Sequence, residues 1–256
     1  MSDPGTALVT GASAGIGAAL AREFAAGGHD VVLVARREGR LRTLADELER
    51  EGVTATVIAM DLDDAAAAMD LHAEVTDRGL DVDILVNNVG VGTYGPFADS
   101  DLDAERTQLR LNVVLPVELT RLFIEELRGS GKVLNVGSMA GMAPGPGLAT
   151  YYASKAYLNS FSEAIAEELR GDVDVTLVCP GPVDTEFADR AGMGESSVGA
   201  VSSNSPENVA RAAYAGLMAG ETVVVPSRAM RVVDLLRRVA PRSVVRRVTR
   251  LVNSGR

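Results

Sequence analysis

Short apolar runs alternate along the chain with longer segments in which apolar residues recur every three or four positions. Short runs bounded by turn residues are typical of buried strands, and the longer spacing is typical of amphipathic helices. Because the two kinds of segment alternate, the pattern predicts an α/β fold in which helices flank a doubly wound parallel sheet. The predicted strands are 7–10, 30–35, 54–60, 82–86, 132–137, 173–179 and 222–225, and the predicted helices include 18–26, 40–51, 102–127 and 150–170.

A glycine-rich turn, Thr-Gly-Ala-Ser-Ala-Gly-Ile-Gly at 10–17, joins the first predicted strand to the first predicted helix. Its glycines permit a tight turn and close backbone approach, and the amides at the start of the helix favour a pyrophosphate. Three glycines alone are a weak signal, but the order of strand, turn and helix strengthens it and predicts a Rossmann-like nucleotide site. The residues assigned to this turn are Gly11, Ser13, Gly15, Ile16 and Gly17.

Two arginines, Arg36 and Arg37, follow the second predicted strand. A dinucleotide site usually places an acid here, about 20 residues after the glycines, to hold the ribose hydroxyls. Guanidinium groups instead favour a 2′-phosphate, with Ser13 as a further donor, and so predict NADP(H) as the cofactor. The alternative is a solvated arginine pair that begins the helix 40–51.

Asp61 and Leu62 follow the third predicted strand, where a carboxylate and a backbone amide could meet the edge of an adenine. The alternative is a helix cap formed by Asp61, Asp63 or Asp64, and both interpretations can hold together.

Amide and small residues lead out of the fourth strand and recur in the long helix 102–127. Asn88 and Gly90 suit a loop that is pressed against a cofactor. Asn112 lies within an apolar stretch of the helix, so its amide requires hydrogen-bond partners. Pro116, four residues later, predicts a kink in this helix.

The segment 138–155 carries the residues best suited to catalysis. Tyr151 and Lys155 are four residues apart, so they share one face of the predicted helix 150–170. A nearby ammonium group favours a phenolate and is expected to lower the tyrosine pKa. Together with Ser138, these groups would polarise a carbonyl oxygen and exchange a proton with it. The spacing of the pair also occurs by chance in helices, but the nucleotide turn supplies a reason for it.

Length and composition favour one domain of the intracellular type. At 256 residues and 46% hydrophobic content, the chain can bury a large core. The first residues lack signal-peptide character and no apolar run is long enough for a membrane span, so a cytoplasmic protein is expected. Cys179 is the only cysteine and is expected in the core, while His29 and His72 are isolated and are assigned surface or structural roles. No metal is expected.

Charge is distributed unevenly along the chain. Residues 228–256 contain nine arginines and one acid, Asp234, which leaves a formal charge of −18 on the remainder of a chain whose net charge is −10. This balance argues against nucleic-acid binding by the main body. Pro241 divides the basic segment into two predicted amphipathic helices. We therefore divide the chain into 1–225, which holds the nucleotide and catalytic sites, and a basic helical extension, 226–256.

The segment 183–205 has the composition of a substrate lid. It is rich in glycine, alanine and serine, with Phe187, Met193 and Val198 spaced through it. Such a segment is expected to order over a largely apolar ligand.

These motifs together resemble the short-chain dehydrogenase/reductase family, from Thr10 to about Thr185. Ser138 and Tyr151 are 13 positions apart, which is the family's usual separation. Val89 stands where the family usually has alanine. The resemblance places the catalytic tetrad on Asn112, Ser138, Tyr151 and Lys155, and cofactor contacts on Asp61, Asn88, Gly90, Tyr151, Lys155, Pro180, Gly181, Val183 and Thr185.

The resemblance implies an NADP-dependent oxidoreductase that interconverts a carbonyl and an alcohol. Tyr151 would exchange the proton, Ser138 would hold the oxygen, Lys155 would lower the tyrosine pKa and bind the nicotinamide ribose, and Asn112 would position a water. Helices 102–127 and 150–170 resemble the pair that the family uses to form a homodimer or homotetramer.

The basic extension resembles that of the ketoacyl and hydroxysteroid reductase branch, which predicts a hydrophobic substrate such as a 3-oxoacyl thioester or another lipid-like ketone. Its helices either cover the lid or a neighbouring subunit, or meet an acyl carrier or a membrane surface. A non-catalytic NADP(H)-sensing regulator or scaffold on the same fold is the alternative function. The intact tetrad favours the enzyme.

Overall fold

A computed structural model describes residues 4–193 and 204–254. Seven of its strands form one parallel sheet in the order β3-β2-β1-β4-β5-β6-β7. The strand order reverses at β1, so the sheet is doubly wound and the predicted Rossmann-like fold is confirmed. The strands are β1 (Thr6–Thr10), β2 (Asp30–Ala35), β3 (Ala55–Ala59), β4 (Ile84–Asn87), β5 (Lys132–Val136), β6 (Asp174–Val178) and β7 (Val223–Val224).

Helices cover both faces of the sheet, and α3 and α8 were not predicted from the sequence pattern. One core lies between the sheet, α1, α2 and α8, and the other lies between the sheet, α3 and α5. Helix α1 begins inside the predicted glycine turn. The helices are α1 (Gly15–Ala26), α2 (Glu38–Glu49), α3 (Ala67–Asp77), α4 (Leu102–Leu109), α5 (Leu115–Leu127), α6 (Ala149–Glu168), α7 (Phe187–Arg190), α8 (Pro206–Met218), α9 (Arg228–Val239) and α10 (Arg242–Ser254).

A widened π-helical turn, Arg110–Val114, interrupts the predicted helix 102–127. The Leu115 amide donates to the Arg110 carbonyl, five residues back, instead of four. Pro116 has no amide hydrogen to donate back into this turn, which is consistent with the altered hydrogen bonding. The disturbance predicted at Pro116 is therefore a widened turn, and such turns are frequent at functional sites.

The carboxyl ends of β1, β4, β5 and β6 meet at one edge of the sheet, next to the place where the strand order reverses. In open parallel sheets this edge is the usual place for a ligand. Helices α9 and α10 are separated at Pro241, as the sequence predicts. Within the described ranges, no helix has the length and apolar character needed to cross a membrane.

Candidate active site

The glycine turn after β1 has the shape of an anion site. The Gly11 amide donates to the Val34 carbonyl over 2.8 Å, and Gly11 has a φ of 70°, which favours glycine. A Cβ added at Gly17 would lie 2.4 Å from the Gly11 carbonyl oxygen, so this close packing requires glycine. No side chain caps the start of α1, where Ile16 packs partly buried against the core. The amides of the first turn are therefore suited to a phosphate.

Ser13 and Arg37 lie together beside this turn. The Arg37 guanidinium donates to Ser13 Oγ from Nε over 3.2 Å and from Nη2 over 3.0 Å. Arg36 is more exposed, and its nearest carboxylate is Asp61, whose Oδ2 lies 3.7 Å from Nη1. Two guanidinium groups and a hydroxyl therefore gather where the sequence predicts a 2′-phosphate.

Glu186 completes this cluster, and the sequence analysis did not identify it. Its carboxylate accepts hydrogen bonds from Arg37 over 2.9 Å and Arg40 over 2.6 Å, and it also pairs with Arg190. The Arg40 and Arg37 guanidinium groups lower the pKa of Glu186 to about 2. No local spacing could have revealed the contacts with Arg37 and Arg40, because Glu186 lies 149 residues beyond Arg37.

Asp61 and Leu62 have different surroundings at the end of β3. Asp61 is exposed, and its Oδ1 accepts a hydrogen bond from the Asp63 amide over 3.1 Å, whereas the Leu62 side chain is buried in the core. Of the three aspartates in the alternative interpretation, Asp64 lies closest to α3: its Oδ1 accepts a hydrogen bond from the Ala66 amide over 2.8 Å, and Ala66 occupies the N-cap. The adenine contact stays a prediction.

The loop after β4 is fastened to the glycine turn. Asn88 Nδ2 donates to the Thr10 carbonyl over 2.9 Å, and the Asn88 amide donates to Thr10 Oγ1 over 3.0 Å. A Cβ added at Gly90 would lie 3.3 Å from both Asn112 Oδ1 and Lys155 Nζ. Gly90 thus brings the loop close to two residues of the predicted tetrad.

Asn112 lies in the widened turn and is completely buried. Its Oδ1 accepts from the Val91 amide over 2.9 Å, and its Nδ2 donates to the Val91 carbonyl over 2.9 Å and to Ser154 Oγ over 3.0 Å. The amide therefore has the partners that its apolar surroundings require. It joins the loop after β4 to helix α6.

Ser138 and Tyr151 converge as the spacing predicts. Ser138 follows β5, and its hydroxyl lies near enough to the Tyr151 phenol to favour a lower pKa of that phenol, while it accepts a hydrogen bond from the Ala140 amide over 3.0 Å. The Asn159 side chain holds the Ser138 backbone by accepting from its amide over 3.4 Å and donating to its carbonyl over 3.0 Å. Asn159 was missed, although it lies on the same helical face as Lys155, one turn further along. Its role is to fix the backbone that carries the Ser138 hydroxyl.

Lys155 is buried, and its ammonium donates to the Val136 carbonyl over 2.8 Å. Burial raises the pKa of Tyr151 to about 12, although the adjoining Ser138 hydroxyl acts in the opposite direction. Burial likewise lowers the pKa of Lys155 to about 8. The expectation that Lys155 lowers the tyrosine pKa is therefore wrong for this arrangement, because desolvation dominates and the ammonium is bound to a backbone carbonyl.

The low pKa of Lys155 can be measured directly because the chain contains only two lysines, Lys132 and Lys155. In protein labelled with 13C-lysine, we expect the Lys155 ε-carbon signal to titrate with a midpoint near 8. Lys132→Arg would assign the signals. A midpoint near the ordinary lysine value of about 10.4 would contradict the desolvated position. Between about pH 8 and about pH 10.4 the unfolded chain still holds the Lys155 proton, whereas the folded chain has released it. The free energy of unfolding is therefore expected to increase as the pH rises through this range.

The segment after β6 runs beside the loop after β5 and the glycine turn. The Pro180 carbonyl accepts from the Met139 amide over 2.9 Å, and a Cβ added at Gly181 would lie 2.9 Å from Met230 Cγ. Val183 forms a bridge with Asn204, and a Cβ added at Gly15 would lie 3.1 Å from Thr185 Cγ2.

The described part of the predicted lid places an aromatic ring against Tyr151. The Phe187 ring lies 5.0 Å from the Tyr151 ring, measured between centroids. Met193 is buried in the same small apolar cluster. The rest of the predicted lid, 194–203 with Val198, lies outside the described residues.

The cysteine and the two histidines are not part of the predicted tetrad. Cys179 is completely buried, and burial raises the pKa of its thiol to about 12. His29 packs edge-on against Phe24, and His72 lies 2.7 Å from a Glu126 oxygen. In residues 4–193 and 204–254, no three side chains of the metal-binding types are grouped to hold an ion.

Comparisons with known proteins identify the family of the chain. Residues 5–195 match the family model described as short chain dehydrogenase. A short chain dehydrogenase of Pseudocercospora fijiensis is 39% identical over 187 residues, covering 71% of this chain and 60% of that protein. A very-long-chain 3-oxoacyl-CoA reductase of Neurospora crassa is 39% identical over 190 residues, covering 71% of this chain and 57% of that protein. The chain thus spans less than two thirds of the length of these curated relatives.

A solved structure is similar over nearly the whole length of both chains. The short-chain dehydrogenase from Sphingobium yanoikuyae, in complex with NADPH, has a TM-score of 0.80 and 32% identity. The similarity covers 91% of this chain and 93% of that one. The two chains therefore share the same arrangement of helices and strands over these parts of their length.

Proposed function

The chain belongs to the short-chain dehydrogenase family, and from this premise we propose that it is an oxidoreductase, an NADPH-dependent reductase of hydrophobic carbonyl compounds. The observation that carries the proposal is that the Ser138 hydroxyl adjoins the Tyr151 phenol, whose ring centroid lies 5.0 Å from that of Phe187. A hydroxyl and a phenol there can bind one carbonyl oxygen, and the aromatic wall favours an apolar substituent.

Reduction requires Tyr151 in its protonated form. NADPH, when bound, supplies a hydride to the carbonyl carbon. The phenol is protonated at neutral pH both at the ordinary tyrosine pKa of about 10 and at the raised value of about 12, so Tyr151 can donate its proton to the developing alkoxide. Ser138 holds the same oxygen by a second hydrogen bond. Lys155, beside the Gly90 loop, would bind the nicotinamide ribose, and Asn112 fixes that loop.

The basic cluster after β2 supports NADP(H) over NAD(H). The similar Sphingobium structure is a complex with NADPH. In this chain Arg36 and Arg37 lie near the glycine turn, and Ser13 joins Arg37 through its hydroxyl. These are the donors that a phosphate dianion prefers. We assign the pyrophosphate to the amides at the start of α1 and the 2′-phosphate to these three residues.

An apolar wall beside Tyr151 supports a lipid-like substrate. Leu148, Ala191 and Met193 are buried there, with Phe187 and Tyr152 packed partly buried against them. The Neurospora relative is named for 3-oxoacyl-CoA reduction. We therefore propose a 3-oxoacyl thioester or another lipid-like ketone as the substrate class.

A screen of NADPH consumption tests the substrate class. Candidate substrates are 3-oxoacyl thioesters of increasing chain length, steroid ketones, sugars and small aldehydes. We expect kcat/KM to rise with apolar length, because each buried methylene contributes about 0.8 kcal/mol. Preference for sugars would contradict the hydrophobic pocket. NADPH binding without turnover of any carbonyl compound would favour the alternative of a sensing protein.

We also propose a homodimer built on α4, α5 and α6, with residues 1–225 as the catalytic domain and 226–256 as its extension. Leu109 and Val114 are exposed next to the widened turn, and Tyr157 is exposed on α6. A cavity bordered by Leu109, Arg110 and Val114 lies on the same surface. Exposed apolar residues on neighbouring helices are typical of a subunit interface.

Charged residues at these positions should separate the subunits. In Leu109→Asp/Val114→Asp, we expect light scattering to show a monomer at concentrations where the wild-type protein is a dimer, because the aspartates would be buried without partners. Met69→Asp, at an exposed site on α3, is the control and should leave the mass unchanged. A wild-type protein that is already monomeric would contradict the proposed interface.

A further inference from the structure

Helices α9 and α10 pack with polar side chains toward the body and apolar side chains toward solvent. In α9, Asp234 is only 8% exposed, whereas Leu235 and Leu236 are 66% and 61% exposed. In α10, Asn253 is 2% exposed and Leu251 is 58% exposed. The hydrophobic effect favours the opposite orientation, so these exposed faces require an apolar neighbour.

Polar contacts hold this orientation in place. Asn253 is bonded at three points: its carbonyl oxygen accepts from Tyr94 over 2.9 Å, its side-chain oxygen accepts from Tyr152 over 3.1 Å, and its Nδ2 donates to the Pro146 carbonyl over 3.0 Å. In α9, Arg237 pairs with Asp234 over 2.6 Å and reaches Met142 Sδ at 3.2 Å. Rotating α10 to bury its leucine would break the Asn253 contacts, and rotating α9 would break the contact between Arg237 and Met142, whereas the Arg237–Asp234 pair lies within α9.

The outward residues of α10 form an amphipathic surface with arginines beside the apolar stripe. Val244, Val248 and Leu251 follow one another at intervals of four and three residues, so they share a face. Arg247 is exposed beside this stripe, and Arg250, also exposed, lies further around the helix. Arginines that flank an apolar stripe are typical of helices that lie in the interface of an anionic membrane.

We infer that the outward face of α9 and α10 binds the surface of an anionic lipid membrane. The positive charge of this segment is complementary to an anionic membrane, because residues 228–256 contain nine arginines and one acid. A second copy docked on the same face would bring two arginine-rich surfaces together, which repel each other. The remainder of the chain, with a formal charge of −18, would be repelled by the lipid and would orient the basic face toward it.

The orientation would place the candidate active site beside the membrane. Asn253 binds Tyr152, the neighbour of Tyr151 in α6, and Met230 of α9 packs against Gly181. Delivery of a lipid-like carbonyl compound from the bilayer rests on the proposed function. Membrane binding itself does not, because it requires neither cofactor nor turnover.

Vesicle flotation of the full chain tests the inference. We expect the protein to float with vesicles of phosphatidylcholine and phosphatidylglycerol, not with phosphatidylcholine alone, and to be released as salt rises. Arg246→Gln/Arg247→Gln/Arg250→Gln should weaken binding on the order of 100-fold, because each arginine near an anionic surface contributes about 1 kcal/mol. The matched control carries glutamines at the exposed arginines Arg42, Arg106 and Arg170.

A second pair of variants tests the apolar face. Glutamine is a good helix former, so glutamines at Leu235, Leu236 and Leu251 should abolish flotation while the thermal unfolding temperature stays unchanged. The control replaces three side chains of similar exposure elsewhere, Met69, Phe97 and Leu102.

Three results would overturn the inference. The first is no flotation with anionic vesicles. The second is equal binding to neutral vesicles, which would remove the charge argument. The third is an oligomer that the leucine variants dissociate, in a protein that does not bind vesicles, because a second copy would then cover the face. None of these results bears on NADPH-dependent turnover of a dispersed substrate, which is measured separately.

Discussion

Tyr151→Phe is expected to lower kcat/KM for carbonyl reduction by about 10²- to 10⁴-fold, the usual contribution of a positioned proton donor. The phenylalanine ring retains the packing against Phe187, whose ring centroid lies 5.0 Å away. Only the hydroxyl, which adjoins the Ser138 side chain, is lost. The affinity for NADPH, followed by fluorescence titration, should therefore change little. The loss should appear in kcat as well as in kcat/KM.

Tyr152→Phe is the matched control, since it removes a hydroxyl from the next residue of the same helix. Tyr152 donates to Asn253 Oδ1 over 3.1 Å and not to Ser138. We expect a small effect on turnover and a modest weakening of the attachment of α10. Equal turnover by wild-type protein and Tyr151→Phe would exclude Tyr151 as the proton donor.

The sequence predicted the fold well because its signals are local. Strands buried on both faces are continuous apolar runs, and β2 lies at the predicted 30–35. The glycine turn was recognisable because close packing leaves no alternative to glycine at Gly17. Helix α3 was missed although aspartates precede it, because its buried face consists of only Ala67, Ala68, Leu71 and Val75, and its alanine-rich start gives a weak apolar pattern.

The candidate site was predictable only where its residues share an element or a strand end. Tyr151 and Lys155 lie on one helix, and their convergence follows from a spacing of four. Glu186 was missed because its arginine partners come from distant parts of the chain. The pKa of Tyr151 was predicted in the wrong direction because neither the desolvation of the phenol nor the bond from Lys155 to the Val136 carbonyl can be read from spacing.

The amphipathic pattern of the basic extension was predicted, but its orientation was not. Periodicity identifies an apolar face without saying whether that face meets the body or solvent. The outcome depends on Asn253 and Arg237, whose contacts with the Pro146 carbonyl and with Met142 join the two helices to the body. Asn253 also makes deletion of α10 a poor test of substrate recognition, because deletion would remove the partner of Tyr152 beside the candidate proton donor.

Arg36→Ala is expected to lower the affinity for NADPH about tenfold to 100-fold and to leave the affinity for NADH nearly unchanged. A hydrogen bond to a charged group contributes about 1.5 to 3 kcal/mol, which corresponds to this range. Arg36 is the residue to change because its one near carboxylate, among the described residues, is the Asp61 oxygen at 3.7 Å. Its guanidinium can therefore turn to a phosphate without breaking a close ion pair.

Arg37→Ala is a less direct test of 2′-phosphate binding. The Arg37 guanidinium also binds Ser13 and Glu186, and the substitution would remove both contacts. Arg42→Ala is the better control for Arg36, since Arg42 is exposed on α2 and pairs with Glu38 over 2.6 Å. The ratio of the dissociation constants for NADPH and NADH should change in Arg36→Ala and stay constant in Arg42→Ala. Tighter binding of NADH by the wild-type protein, or an unchanged ratio in Arg36→Ala, would show that Arg36 does not bind a 2′-phosphate.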